Sequence, residues 1–412
     1  MNPEEPLTTD ALEFSRAVRE QLLEAIAATV QARFFDPKFN GRNWQTLVQL
    51  AREGILQATN PVDFESRVQS LLEQLAVQPV GFFHRTRAKV PVHHVLRATL
   101  YPHHGAWVFE NVQEDGPTFA AQIKSGDTLL AVNDTPVAPP EPVRFPAGAP
   151  ASILIRRRNG NEERIVPQAL PPDEARRNSV RTALLENDVG YLKITRFPGL
   201  VGVDMARDID AAVQTLSECR SLVVDLRGNP GGGSANLRLM SYLTPDKKPV
   251  GYSLTRPRAE RGYRREELAQ FRRIPTSKLA LIGLALRFKF ADKSIVVVTE
   301  GLRPPKFQGH VVLLANEHTV SGAEIVVGFA KDHGLARIVG TRTAGRLYGW
   351  SSFPIQQDYR LTIPVSNYIT WEGKCFEGTG IEPDVEVPFS PEAAREGRDL
   401  QLEEGAKIAA SL

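Results

Sequence analysis

Cysteine is nearly absent from this chain. Only Cys219 and Cys375 occur among 412 residues. Two thiols are too few for the disulfide framework of a small secreted protein, so that class is excluded. Both residues fit a reducing compartment or plain core positions, and a bond between the two is compatible with the sequence.

Long apolar runs are missing as well. No stretch reaches the roughly 18 apolar residues that a membrane-spanning helix requires, so no membrane span is expected. The first residues, MNPEEPLTTDALEFSRAVREQ, are acidic and lack the apolar centre of a secretory signal. The sequence therefore predicts a cytoplasmic protein if its N-terminus is complete, and an exported protein otherwise.

Neither sign of charge dominates. Lys and Arg together number 50 against 48 for Asp and Glu, which gives a net charge of +2. This balance excludes a general electrostatic attraction to nucleic acid or to acidic membranes. With 42% hydrophobic residues, a chain of 412 can build two or three domains with sizeable cores.

A serine lies where a predicted buried strand passes into a helix. Residues Val311 to Ala315 are apolar and predict the strand, and a helix follows from Ala323 onward. Ser321 would be held out from the backbone beside the first helical N–H groups, a geometry that favours a nucleophile. On this turn alone, a plain helix N-cap is the simpler interpretation.

A glycine-rich turn follows another predicted buried strand, Leu222 to Leu226. Gly231, Gly232 and Gly233 leave backbone N–H groups uncovered at a helix start, which forms an anion-binding nest. The turn lacks the G-K-[ST] and GxGxxG patterns, so nucleotide binding is weakly supported. Parallel strands would place these amides beside Ser321, where they can hold an oxyanion; a tight turn without a ligand is the alternative.

The order of predicted elements divides the chain into three parts. Helical periodicity covers residues 10–76, short β-like runs cover 90–168, and strands alternate with helices from about 178 onward. The last pattern predicts a largely parallel α/β core. The segment 256–293 is rich in Arg and Lys and is expected to be a solvated insertion, with a basic docking surface as the alternative.

Four motifs in one order carry a family resemblance. They are DLRGNPGGG, NEHTVSGAEI, KDHGLARIVGTRTAG and GTGIEPDVEVP. Together they resemble the carboxy-terminal processing (tail-specific) serine peptidases, which include tricorn core protease-like members. The resemblance implies an α/β fold with a crotonase-like spiral core at 173–412, an N-terminal helical region at 1–87 and an inserted PDZ-like β domain at 88–172.

The same resemblance implies a serine-type peptidase that works through an acyl-enzyme on Ser321, without a metal or organic cofactor. Gly231 and Gly322 would hold the oxyanion, with Gly232 as a near alternative. The PDZ-like domain would present the tail of a peptide or protein substrate. No nucleic acid partner is expected, and a homo-oligomer is compatible with the sequence.

The general base is where the sequence departs from the family pattern. The family's lysine position is Arg346, which cannot accept a proton near neutral pH, and its alternative histidine position is Pro79. We expect His84 to be recruited as the base, with Glu377 as its acidic partner and Glu324 as a weaker candidate. Arg346 would contact developing charge or a substrate carboxylate, unless it forms only a surface salt bridge.

Loss of both base positions also supports a function of another class. A protease fold that has lost catalysis would act as a peptide- or ligand-binding module, while the serine and the glycine turn would remain. An esterase or another acyl hydrolase is a third reading, because the same serine and oxyanion donors serve that chemistry. Reactivity of Ser321 separates these functions.

Four histidines lie close together in the predicted β region: His93, His94, His103 and His104. Such a group can bind a metal ion, yet no cysteine or carboxylate lies at a spacing that would complete a zinc site. We therefore expect a solvated loop there and no metal.

Overall fold

The structure is a computed structural model. It describes residues 14–146, 150–199, 201–275, 282–283, 293–302, 307 and 309–412. Within the predicted basic insertion at 256–293, residues 276–281 and 284–292 lie outside the described residues. The fold is mixed α/β and has three successive parts. No helix in the described ranges is both long and apolar enough to cross a membrane.

Three helices form the first part. They are α1 (Arg16–Arg33), α2 (Trp44–Leu56) and α3 (Pro61–Glu73). Each begins after a polar residue whose side chain accepts a backbone N–H of the first turn: Ser15, Asn43 and Asn60 respectively. Their apolar faces enclose a core with strands from much later in the chain, so this part is fastened to the rest of the protein.

The second part is built mainly from short strands. Its elements, including the strand that leads into it, are β1 (Gly81–His84), β2 (Lys89–Pro91), α4 (Val92–Val95), β3 (Ala98–His103), β4 (Ala106–Val112), α5 (Pro117–Ala120), β5 (Thr128–Val132), β6 (Thr135–Pro136), β7 (Arg144–Pro146), β8 (Ile153–Arg156) and β9 (Glu162–Ile165). An antiparallel sheet runs in the order β3-β4-β5-β8-β9, with β6 paired to β5. We call it the 98–165 sheet. It has its own buried core, which includes Phe109, Phe145 and Ile153.

The third part alternates strands and helices. Its elements are α6 (Pro172–Asn178), β10 (Val180–Leu184), β11 (Val189–Ile194), α7 (Val203–Thr215), β12 (Ser221–Asp225), α8 (Asn236–Leu243), β13 (Pro249–Thr255), α9 (Arg256–Arg261), β14 (Ala269–Phe271), β15 (Ile295–Val298), β16 (His310–Ala315), α10 (Gly322–Asp332), β17 (Arg337–Gly340), β18 (Gly349–Pro354), β19 (Tyr359–Thr370), β20 (Val385–Glu386), α11 (Pro391–Arg395) and α12 (Leu400–Ser411).

Two sheets organise this third part. One runs β10-β11-β12-β16-β17-β20 and is parallel from β11 onward, which confirms the predicted parallel core. Helices α7, α8 and α10 cover one face of it, and the C-terminal helix α12 covers the other. The second sheet runs β1-β19-β13-β15-β14, with β18 paired to β19.

The pairing of β12 with β16 positions the candidate site. The two strands are parallel neighbours, in register from Ser221 opposite His310 to Asp225 opposite Leu314. Neighbouring parallel strands end at the same edge of a sheet, so the loops that follow them meet there. The glycine turn after β12 and the serine turn after β16 are therefore brought side by side.

Candidate active site

Ser321 occupies the sharp turn between β16 and α10. Its φ of 54° and ψ of −117° place it in a strained backbone region that L-residues seldom adopt. An ordinary N-cap has extended backbone, so this turn differs from the simple cap. Its backbone N–H donates to Glu324 Oε2 at 3.0 Å, one helical turn later, which fixes the strained conformation.

The glycine turn lies directly against Ser321. A Cβ atom added to Gly231 would be 2.8 Å from the Cβ of Ser321 and 2.7 Å from the backbone nitrogen of Gly322. Such separations leave no room for any side chain, and the φ of +80° at this position also favours glycine. The two turns predicted to meet are thus in van der Waals contact.

A buried ion-pair network holds the start of the glycine turn. Arg227 donates to both oxygens of Asp225, at 2.9 and 2.7 Å, and to both oxygens of Asp399 at the start of α12, at 2.7 and 2.8 Å. Burial opposes ionisation of Asp225, but the charges of Arg227 and Lys193 outweigh it and lower the pKa of this carboxyl. The C-terminal helix therefore anchors the loop.

The free amides differ from the pair expected from the sequence. The N–H of Gly231 donates to Asn229 Oδ1 at 2.8 Å, so it is already used within the turn. The amides of Gly232 and Gly322 have no acceptor among the residues that the structure describes. These two N–H groups, rather than that of Gly231, are the donors left for an oxyanion.

Glu324 is a structural acid at the centre of the site. Its fully buried carboxylate accepts four bonds, from Ser321 N (3.0 Å), Thr343 Oγ1 (2.7 Å), Gly345 N (2.6 Å) and Arg346 N (2.9 Å). Burial outweighs these bonds and leaves the pKa of Glu324 raised. Since one oxygen serves both Ser321 N and Arg346 N, these two nitrogens lie within about 6 Å of each other.

Arg346 and Glu377 stand on either side of the same turn. The Arg346 side chain is exposed, and it has no hydrogen bond or ion pair within the described part of the chain. Glu377 Oε2 accepts the backbone N–H groups of Leu347 and Tyr348 at 2.5 and 2.9 Å. Burial raises the pKa of Glu377 despite these two bonds. Glu377 therefore supports the turn that carries Arg346.

The structure does not bring His84 to Ser321. His84 pairs with Tyr359 at the start of β19, and its ring lies 2.8 Å from Thr86 Oγ1. The site end of β18, Gly349, pairs with Ser366 instead. At about 3.3 Å per residue, the span along β19 puts His84 roughly 20 Å from that end. The role of His84 as base stays a prediction, and the pairing of β1 with the far end of β19 does not favour it.

A different histidine lies at the site. His318 precedes Ser321 by three residues, and its Nε2 is 3.1 Å from Glu110 Oε2 on β4. Glu110 is buried and also accepts bonds from Thr99 Oγ1 (3.1 Å) and Asn316 Nδ2 (3.0 Å). Burial of the His318 ring disfavours its charged form, but Glu110 outweighs burial and the pKa of His318 is raised.

His93, on α4, adds a second ring to this region. Burial, together with the charges of His94, His318 and Arg346, lowers its pKa to about 4. The NEHTVSG motif placed His318 beside the serine in the sequence, and this signal could have been used. Glu110 and His93 are more than 200 residues from Ser321 in the sequence, so no local pattern could have identified them.

Comparisons with known proteins identify a family domain in this chain. Residues 188–387 match Peptidase family S41. Three relatives are a carboxy-terminal-processing protease of Bartonella bacilliformis (22% identity), tricorn protease homolog 1 of Streptomyces coelicolor (27%) and a chloroplastic carboxyl-terminal-processing peptidase 3 of Arabidopsis thaliana (23%). The matches cover 71%, 70% and 90% of this chain. The chain spans 60%, 24% and 69% of those proteins' own lengths.

Solved structures share the fold at low identity. The photosystem II D1 C-terminal processing protease aligns with a TM-score of 0.58 at 17% identity, covering 95% of this chain and 97% of that one. Mature CPAF gives 0.59 at 16%, covering 96% and 97%. The tricorn protease gives 0.51 at 17%, covering 96% of this chain and 37% of that one. The chain thus contains a peptidase family S41 domain, and its fold is that of S41 protease structures.

Proposed function

We propose that the peptidase family S41 domain at residues 188–387 makes this chain a serine-type peptidase. Ser321 Oγ attacks the peptide carbonyl, and the amides of Gly232 and Gly322 stabilise the oxyanion. Each such donor is worth roughly 3 kcal/mol of barrier. The contact between the glycine turn and Ser321, 2.8 Å to a Cβ placed on Gly231, is the observation that carries this proposal.

The proposed base is His318, with Glu110 to orient it. A neutral His318 ring takes the proton of Ser321 as the C–O bond forms, and it then gives that proton to the leaving amine. Water hydrolyses the resulting acyl-enzyme by the same proton route. Glu110 stabilises the imidazolium in between, from 3.1 Å. No metal or organic cofactor takes part in these steps.

Arg346 has a binding role in this scheme. Its guanidinium is exposed and unpaired among the described residues, and its backbone is held close to Ser321 through Glu324. A guanidinium recognises a carboxylate with two parallel hydrogen bonds. We assign the Arg346 guanidinium to a carboxylate of the substrate near the scissile bond. Glu377 supports the turn that carries Arg346 by accepting two of its backbone N–H groups.

The 98–165 sheet would present the tail of the substrate to the site. We interpret residues 88–172 as a PDZ-like domain, 1–87 as a helical region and 173–412 as a crotonase-like core. An open sheet edge can add a peptide strand, and β4 of this sheet already contacts the site through Glu110. A peptide or protein is therefore the proposed partner. We also propose that the chain forms a homo-oligomer.

A second function is favoured by a specific observation. The position of the family's lysine holds Arg346, and that of its histidine holds Pro79, so neither supplies a base. A chain in which His318 also failed to take the proton would be a peptide-binding module on a protease fold. Reactivity of Ser321 distinguishes the two functions.

A fluorophosphonate probe on the full chain tests the peptidase. We expect labelling of the wild type and none of Ser321→Ala, because the probe reacts only with an activated serine. His318→Ala should slow labelling by about 100-fold, the typical contribution of a general base, whereas His84→Ala should change it by less than about 2-fold. Absence of labelling from about pH 6 to pH 9 would establish the binding module instead.

A further inference from the structure

The tip of the β3–β4 hairpin brings two histidines to an acid from the other end of the chain. His103 ends β3 and His104 lies in the turn that follows, while Glu392 belongs to α11. One ligand atom from each of the three lies within 4.8 Å of the others. We propose that His103, His104 and Glu392 bind a zinc ion, independently of the function proposed for Ser321.

The strongest support for this site comes from Nε2 of His103. Its Nε2 is buried and has no hydrogen-bond partner among the described residues, although Glu392 Oε1 is only 3.0 Å away. The two atoms are close but not aligned for a hydrogen bond. Two ligands that each lie about 2.0 Å from one zinc ion in a tetrahedron are about 3.3 Å apart, so the observed spacing suits a shared cation.

The donor set favours zinc among the common cations. Two imidazoles and one carboxylate form a three-ligand zinc site with the fourth position open to water, whereas calcium and magnesium prefer oxygen ligands. Glu392 is also oriented from outside the cluster, because Ser390 Oγ lies 3.1 Å from its second oxygen and donates to it. Such outer bonds to a ligating carboxylate are typical of metal sites.

Close packing already fixes the two halves of the proposed site. Tyr101 on β3 contacts Phe389 with ring centroids 5.3 Å apart. A Cβ on Gly126, before β5, would be 2.8 Å from the backbone of Ala394 in α11. Only the exposed His104 and Glu392 side chains need rotate to close on an ion. A bound zinc would therefore fasten the 98–165 sheet to the segment that leads into the C-terminal helix.

Sequence spacing could not show this site. The expectation of a solvated loop rested on the lack of a carboxylate near the histidines, and Glu392 supplies one from the opposite end of the chain. Another group, Glu110, Glu317 and His318, has a similar spread of atoms. There the two oxygens of Glu110 already accept bonds from Asn316 and Thr99, so the hairpin site is the better candidate.

Zinc titration of the full chain tests the proposal. The protein is first stripped with EDTA and exchanged into chelator-free buffer, then titrated with zinc chloride against a chromophoric chelator. We expect one zinc per chain with a Kd below about 1 µM. His104→Ala and Glu392→Gln should each weaken binding by at least about 10-fold, and His103→Ala should do the same. Zinc should also raise the melting temperature of the wild type.

Matched controls separate the hairpin site from other sources of binding. His94→Ala removes a nearby imidazole that is not in the cluster, and His318→Ala disrupts the other group; neither should change the zinc affinity. His104 and Glu392 are exposed, so their variants should melt like the wild type without zinc. No binding tighter than about 100 µM would overturn the proposal. So would affinity that is unchanged in Glu392→Gln, or lost only in His318→Ala.

Discussion

The two halves of the candidate site are built in different ways. The proposed oxyanion half consists of two turns that follow neighbouring parallel strands, and the backbone of Gly231 is close-packed against the serine turn. The proposed proton-transfer half joins side chains from distant segments, His318 after β16 and Glu110 on β4, and the exposed Arg346 of a further segment lies near them as the proposed binding group. One half is backbone in contact with backbone; the other is an arrangement of side chains.

This difference predicts which half of the site tolerates substitution without loss of the fold. The glycine turn has no space for side chains, so substitution there disturbs the sheet edge itself. The side chains proposed for proton transfer project from rigid elements. We expect their substitution to leave the backbone of those elements in place.

We expect the largest effect from a substitution in the proposed oxyanion half. A Cβ on Gly232 would lie 2.1 Å from the carbonyl oxygen of Phe197, and the φ of +129° is itself unsuited to alanine. Gly232→Ala should therefore displace a donor and reduce the rate of fluorophosphonate labelling by at least about 100-fold. The rate is measured with the full chain at a single probe concentration.

A second glycine controls for backbone strain alone. Gly262 has a φ of +76°, but a Cβ there meets nothing within 4 Å. Gly262→Ala should leave labelling within about 2-fold of the wild type, at most lowering stability by about 1 kcal/mol. If Gly232→Ala reacted as fast as Gly262→Ala, Gly232 would not be an oxyanion donor.

The same contrast separates what the sequence predicts from what it does not. Val311 to Ala315 and Leu222 to Leu226 are local apolar runs, and parallel pairing follows from βα alternation, so the meeting of the two turns is predictable. The choice of Gly232 over Gly231 depends on the side chain of Asn229, which a pattern of glycines does not reveal.

The two candidate bases, His84 and His318, differ in how the fold positions them. His84 is near Pro79 in the sequence, but its strand runs antiparallel to β19 and carries it away from the site. The pair His318–Glu110 depends on how the 98–165 sheet docks on the core, and no local periodicity encodes that docking. Proximity along the chain predicts proximity in space only within one turn or between paired strands.

An intermediate effect tests the acid that links the two halves. Glu324 accepts four bonds as a fully buried carboxylate, and a glutamine amide would turn a donor toward N–H groups. Glu324→Gln should lower the free energy of unfolding by about 3 kcal/mol, measured by urea denaturation. Glu377→Gln is the matched control, because Glu377 is less buried and accepts two backbone bonds, and it should lose about 1 kcal/mol. Equal losses would contradict a special role for Glu324.

The smallest effect is a shift in pH dependence. His318 must be neutral to accept a proton, so labelling of Ser321 should increase as pH rises through the pKa of His318, which lies above the usual value of about 6.5. Three charged groups act on this ring: Glu110 and Glu317 raise its pKa, and Arg346 lowers it. The nearby His93 is neutral near pH 7, because its own pKa is about 4. Glu110→Gln removes the largest raising influence.

The direction in which the labelling midpoint moves shows whether His318 causes the pH dependence. In Glu110→Gln the pKa of His318 should fall, so the midpoint of the labelling profile should move to lower pH by up to about one unit. Glu317→Gln should move it the same way by less, because the charge of Glu317 acts on His318 more weakly than that of Glu110. A midpoint that stayed fixed in both variants would place the titrating group elsewhere and remove His318 from the mechanism. Gly231, Gly232 and Gly233 carry no titratable side chain, so they cannot produce either shift.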